Sequence, residues 1–156
     1  MAHHILNVCD ADSRIGQLDY ESLEEQFSFC YDRAWTNTKD AYSISPHILS
    51  NGLSAASSTV RRFVENLLPE GRALDIVSST CKVSKNNVYG LIRELGQETA
   101  GALSFRPGDS SARHATLRRE VTRAELVERI AERAQIPFAL WDGRIRMSIA
   151  GYQDKL

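Results

Sequence analysis

Several things are scarce in this chain, and each scarcity removes a class of function. No apolar run approaches the roughly 20 residues that span a bilayer, and the N-terminus lacks the basic-then-apolar pattern of a signal peptide. A cytoplasmic protein with no membrane partner is expected. Neither sign of charge is in excess: Lys+Arg 19 stand against Asp+Glu 20, a net charge of -1. A dedicated nucleic-acid binder carries a basic surplus that neutralises phosphates, so direct DNA contact would have to rest on a local patch. Cysteine is sparse and odd in number: Cys9, Cys30 and Cys81 have no paired spacing for a zinc site or a disulfide framework. They are expected to be reduced, buried thiols. His3 and His4 sit at the terminus, and His47 and His114 have no ligand-spaced partners, so no metal site is expected. Internal repeats and low-complexity segments are absent as well.

What remains is an ordinary folding composition over 156 residues, 42% hydrophobic and 25% charged. That is enough to bury a core as one domain, or one domain with an appendage. The first part reads as β structure. His4 to Val8 is apolar-rich, Asp10-Ala11-Asp12-Ser13 supplies turn formers, and Ile15 to Tyr20 follows, which makes a hairpin. Phe27, Phe29 and Tyr31 alternate with Ser28 and Cys30, placing three rings on one, core-facing side of a strand. Tyr42 and Ile44 alternate with Ser43 and Ser45 ahead of Pro46, suggesting a further short strand.

Helices follow Asn51-Gly52. Val60, Phe63, Val64, Leu67 and Leu68 recur at helical spacing, with Ser57 or Ser58 as cap and Pro69 as the stop. A second helix is expected over Ala73 to Cys81. A third spans about Asn86 to Leu95, with Val88, Leu91, Ile92 and Leu95 on one face and Gly96 at its end. Gly101 to Phe105 reads as a strand. Arg106-Pro107-Gly108-Asp109-Ser110-Ser111 has linker composition and marks the expected domain boundary. Beyond it, Thr122-Arg123-Ala124-Glu125 is a capping box opening a helix to about Ala134. Leu126, Val127, Ile130, Ala131 and Ala134 form its apolar stripe, and Pro137 stops it. Ile145, Met147 and Ile149 alternate with Arg144, Arg146 and Ser148, a strand that delivers Ala150-Gly151 into a loop.

A strand feeding a glycine loop is the geometry from which backbone amides reach phosphate oxygens, and Lys155 adds a positive charge nearby. Taken alone, Ser-Ile-Ala-Gly is an ordinary strand end: it lacks the two glycines and the Lys-Ser/Thr pair of a Walker A loop. Its company changes the reading. Asn66-Leu67-Leu68-Pro69-Glu70 resembles the Asn-Leu-Leu-Pro-acidic segment of the HipA family of bacterial Ser/Thr kinase toxins from type II toxin–antitoxin systems. Gly90 to Phe105, with Leu91, Glu94, Leu95-Gly96, Glu98-Thr99 and Gly101-Ala102, resembles the segment that follows it there. Met147 to Lys155 resembles that family's Ser-Val/Ile-Ala-Gly-x-Gln-x-Lys loop, although Tyr152 departs from the small residue common there.

The resemblance implies an α+β fold: a small antiparallel sheet with a three-helix segment, the HipA N-terminal subdomain, over residues 1–106. Residues 107–156 would then hold one helix and a strand of a truncated kinase N-lobe, ending in the nucleotide-binding loop. It implies ATP-loop roles for Ser148, Ile149, Ala150, Gly151, Gln153 and Lys155. Ser148 matches the loop serine that becomes autophosphorylated, where an added dianion would repel ATP phosphates. ATP and Mg are the cofactors of the full-length family; none is expected to bind tightly to this chain. The implied partners are a HipB-like helix-turn-helix antitoxin and the remaining kinase core, with DNA reached only through the antitoxin. No residue carries a catalytic role, because Asp109, Asp142 and Asp154 are scattered and no His-x-Asp or Asp-Phe-Gly arrangement occurs. This chain alone is expected to be inactive. Two alternatives stand beside this reading. One is a stand-alone HipS-like regulator that binds and restrains a kinase toxin. The other is a helix-turn-helix DNA-binding protein over residues 73–95, in which Asn86, Asn87 and Arg93 read base edges.

Overall fold

The computed structural model describes residues 2–96, 99, 101–108, 120–132, 140–141 and 144–145. Strand β1 (His3–Asp10) turns at Ala11-Asp12 into β2 (Ser13–Glu21), with Ala11 in the left-handed region at φ 48°. The hairpin is antiparallel from His3↔Glu21 to Asp10↔Ser13, with one register shift between Val8 and Cys9. The next turn is built by Glu21, whose carboxylate accepts from the amides of Leu23 (3.0 Å) and Glu24 (2.7 Å). Strand β3 (Gln26–Tyr31) then pairs with β2. Gly16 is required where these two strands meet, since a Cβ there would lie 2.3 Å from the Cys30 carbonyl oxygen. Strand β4 (Leu103–Pro107) returns much later in sequence to the free edge of β1, completing an antiparallel sheet ordered β3-β2-β1-β4.

One face of this sheet is covered by helices α2 (Ser57–Glu65), α3 (Gly71–Cys81) and α4 (Val88–Leu95). Leu6, Val8, Leu18, Phe27 and Phe105 from the sheet meet Val60, Val64, Leu68, Val77, Leu91, Ile92 and Leu95 in a single core. The two-layer arrangement buries the apolar stripes of α2 and α4 against the apolar face of the sheet, with α3 packed on α4. The short helix α1 (Arg33–Thr36) packs on β2 and buries Trp35. Of the three rings on β3, Phe27 is buried, while Phe29 and Tyr31 are half-buried against the core.

Several local expectations change. No strand forms over Tyr42 to Ser45, where only an isolated bridge joins Ser45 to Ile48. Side chains satisfy that backbone in place of a ladder: Tyr31 Oη accepts from the Ile44 amide (2.8 Å), and Ser43 Oγ accepts from the Ser50 amide (3.0 Å). Neither Ser57 nor Ser58 caps α2. Ala56 is the N-cap residue without a side-chain bond, and Ser57 Oγ accepts from the Phe27 amide (2.8 Å), tying the helix to the edge strand. The helix ends at Glu65, and Leu67 and Leu68 fall in the turn after it. Gly96 does not adopt the left-handed conformation at φ -45°; it is bare because a Cβ would meet the Phe105 carbonyl oxygen at 2.0 Å. The left-handed cap belongs to Lys82 after α3 (φ 55°). Arg106 and Pro107 lie within β4, opposite Asn7 and Leu6, so no linker begins before Gly108.

Helix α5 (Arg123–Glu132) opens on the expected capping box. Thr122 Oγ1 accepts from the Glu125 amide (3.2 Å), and the Glu125 carboxylate accepts from the Thr122 amide (2.9 Å). Its apolar stripe is not buried: Leu126, Val127 and Ile130 are 41%, 60% and 37% exposed. A two-residue pair, β5 (Leu140–Trp141) with β6 (Arg144–Ile145), is the last described element. It places the start of the expected terminal strand at Arg144; Met147 and Ile149 lie outside the described residues.

Candidate functional site

The nucleotide-loop residues expected from the sequence, Ser148, Ile149, Ala150, Gly151, Gln153 and Lys155, all lie outside the described residues. The hairpin that leads toward them is described at Leu140↔Ile145 and Trp141↔Arg144.

The two upstream segments that accompany that loop are visible, and both turn out to be architectural. Asn66-Leu67-Leu68-Pro69-Glu70 is the corner between α2 and α3. Asn66 is the C-cap, its amide donating to Arg62 O (3.1 Å), and the Leu67 and Leu68 amides continue to Val64 O and Glu65 O (3.0 Å each). Leu68 drives into the core at 5% exposure, which fixes the angle at which α3 leaves. The segment from Gly90 to Phe105 carries α4 around to β4. The Phe105 amide donates to Gly96 O, and Thr99, the one buried polar residue among those described, donates from Oγ1 to Leu103 O. The described residues of this segment close the sheet.

Residues 73–95 do form two helices joined by a turn, yet α4 is poorly suited to a DNA groove. Val88, Tyr89, Leu91, Ile92 and Leu95 are buried against the rest of the fold. Asn87 spends its side chain as N-cap, accepting from the Gly90 amide at 2.8 Å. Of the three residues expected to read bases, only Asn86 and Arg93 remain available on the surface.

No redox or metal chemistry is assembled among the described residues. Burial pushes the thiols of Cys9 and Cys81 up, in the case of Cys9 against the opposing pull of Arg106 and Arg14. Raised thiols are poor nucleophiles and poor metal ligands. Cys30 is exposed rather than buried as expected, because it lies on the outward-facing register of β3. Among the described residues no three His, Cys, Asp or Glu side chains converge as a metal site, and no helix is long and apolar enough to cross a membrane.

Residues 6–106 match the family model of the HipA N-terminal domain, about two-thirds of the chain. The chain belongs to the HipA family. The serine/threonine-protein kinase toxin HipA of Shewanella oneidensis is 34% identical over 145 residues, covering 93% of this chain and 33% of the relative. A protein of Sinorhizobium fredii, Y4mE, provisionally named a kinase, is 27% identical over 109 residues, 70% of this chain and 26% of its own length. Among solved structures, a Shewanella oneidensis complex of the toxin–antitoxin system HipA, HipB and its operator DNA contains a chain similar at TM-score 0.76 and 34% identity. That match covers 97% of this chain and 34% of the other. The HipA-like chain thus spans about a third of the length of the relatives it matches. The mixed α+β architecture is that of the HipA structure.

Proposed function

We propose that this chain is the N-terminal part of a HipA-like Ser/Thr protein kinase toxin, in which residues 2–108 act as scaffold and Ser148 to Lys155 form the ATP-binding loop. The observation that carries the reading is the 34% identity to a kinase toxin over 145 residues, a longer stretch than the 6–106 matched by the N-terminal domain model. In it the amides around Gly151 and the charge of Lys155 would bind phosphate oxygens, and Ser148 would be the modified residue. ATP with Mg supplies the transferable phosphoryl group. The chain's own contribution is binding and positioning, because the acceptor base and the acidic metal-holding groups of phosphoryl transfer have no counterpart in these residues. The proposed partners are a HipB-type antitoxin and a kinase core, with DNA contacted through the antitoxin.

Incubation of the purified 156-residue chain with radiolabelled ATP and Mg tests the division of labour. No label is expected on any substrate. Label on the chain or on an added protein would overturn the claim that the catalytic groups lie elsewhere.

A further inference from the structure

Helix α5 is well specified by its own sequence and poorly supported by its surroundings. Thr122 and Glu125 open it with reciprocal bonds of 2.9 and 3.2 Å. It then runs for 10 residues, about 15 Å, and none of them is buried. Helices shorter than about 12–15 residues are marginal in water unless an apolar face is packed against something. On α5 that face exists: Leu126, Val127 and Ile130 fall at i, i+1 and i+4 and are all exposed, while Glu125, Glu128, Arg129 and Glu132 occupy the other sides. A helix with this division of its surface is one layer of a fold whose second layer covers the stripe.

Two covers can be set aside. The core between the sheet and helices α2 to α4 contains no residue of α5. A second copy of the chain, docked through three side chains on one short helix, would bury far less than the roughly 800 Å² per partner of a stable interface. A covering layer in the same polypeptide needs no such area, because the chain already joins the two and no translational freedom is lost when they pack.

The position of α5 along the chain says where that layer comes from. The helix begins after residue 106, where the match to the HipA N-terminal domain stops. It is nevertheless shared with the kinase toxin: a match of 145 residues leaves 11 of the 156 unmatched, too few to exclude α5 from either end. The match takes up only 33% of that toxin. Helix α5 thus belongs with the remaining two-thirds rather than with the domain before it.

We propose that the Leu126, Val127 and Ile130 stripe of α5 is the docking surface for the kinase core, the two-thirds of a HipA-type toxin that this chain does not span. This docking, which rests on the proposed function, adds the surface by which the core is met. The matching face of the core is apolar at the contact, since the stripe offers no side-chain hydrogen bond to a buried polar group.

Hydrogen exchange read by mass spectrometry tests this on two proteins, the 156-residue chain and the same chain continued by the remaining two-thirds of the Shewanella oneidensis toxin. The α5 amides are expected to exchange rapidly in the chain alone and at least about tenfold more slowly in the continued chain. Leu126→Gln with Ile130→Gln should abolish that slowing while keeping helix propensity, and Glu128→Gln on the charged side should not. Incubation of the continued chain with radiolabelled ATP and Mg reads the proposed function separately. Slowing that the paired substitution abolishes upholds the docking surface, and absence of label then counts against the proposed function alone. Label without slower exchange at α5 overturns the docking surface and leaves the proposed function standing; neither label nor slowing overturns both. Slowing that survives the paired substitution also overturns it, as does slowing that appears in the chain alone with rising concentration, which would assign the stripe to a second copy.

Discussion

Single residues carry much of the specification in this fold, and glycine shows how. Gly96 was legible as a helix-ending glycine, yet its right-handed φ rules out the left-handed cap that usually explains one there. The real reason, a carbonyl of β4 pressed against the Cα position, depends on a strand whose pairing is not encoded locally. Gly96→Ala is therefore expected to cost about 1–3 kcal/mol, as overpacking does. Gly101→Ala, where a Cβ meets only Leu67 at 3.8 Å, should be near neutral. Urea unfolding of the two variants makes the comparison. Tyr42 offers a second residue-scale prediction. Burial, together with its hydrogen bond to Asp10 (2.7 Å), pushes its pKa from 10.0 up to about 12. Folding thus favours the protonated phenol, so its stabilisation is complete below pH 10.0 and is lost as pH rises toward about 12. Tyr42→Phe should flatten that alkaline decline in a stability-versus-pH series; an unchanged slope would remove Asp10 and burial as the cause.

At the scale of elements, period and punctuation carried the sequence reading where an element is locally determined. The β1–β2 hairpin, the three helices and the Thr122–Glu125 capping box all follow from alternation, helical spacing and cap chemistry. The failures share a cause. Tyr42 to Ser45 alternates like a strand, but the Tyr31 hydroxyl accepts from the Ile44 amide and the Ser43 hydroxyl from the Ser50 amide, and no short-range pattern announces these bonds. Ser57 has the chemistry of a cap, and a strand amide claimed it. Ile92 is fully buried, whereas Leu67, seven residues beyond the start of its stripe at Val60, is only half-buried after the helix has ended. Ile92→Ala should cost about 2–5 kcal/mol and Leu67→Ala clearly less. Equal losses in thermal melts would mean that the corner packs differently. Thr122→Ala should lower the helicity of α5 and cost about 1 kcal/mol, read by circular dichroism.

For the whole molecule, the family was legible from motifs whose residues proved to be structural. Asn66 to Glu70 and Gly90 to Phe105, the segments that carry the HipA resemblance, set a helix corner and lead into the strand that closes the sheet. The proposed ATP loop would have the opposite character, since its function would depend on groups presented to a ligand rather than on packing. The exposed stripe of α5 fits the same division, since Leu126, Val127 and Ile130 lack a cover among the described residues. Under the proposed function, scaffold and chemistry are separated along the chain. The central claim, a HipA-type module that meets DNA through an antitoxin, is tested most directly by fluorescence anisotropy of labelled operator DNA. The chain is added first alone and then to DNA already bound by the cognate HipB-type antitoxin. The account predicts no change from the chain alone and a further rise on the antitoxin complex. A rise without antitoxin, or none with it, would contradict the account.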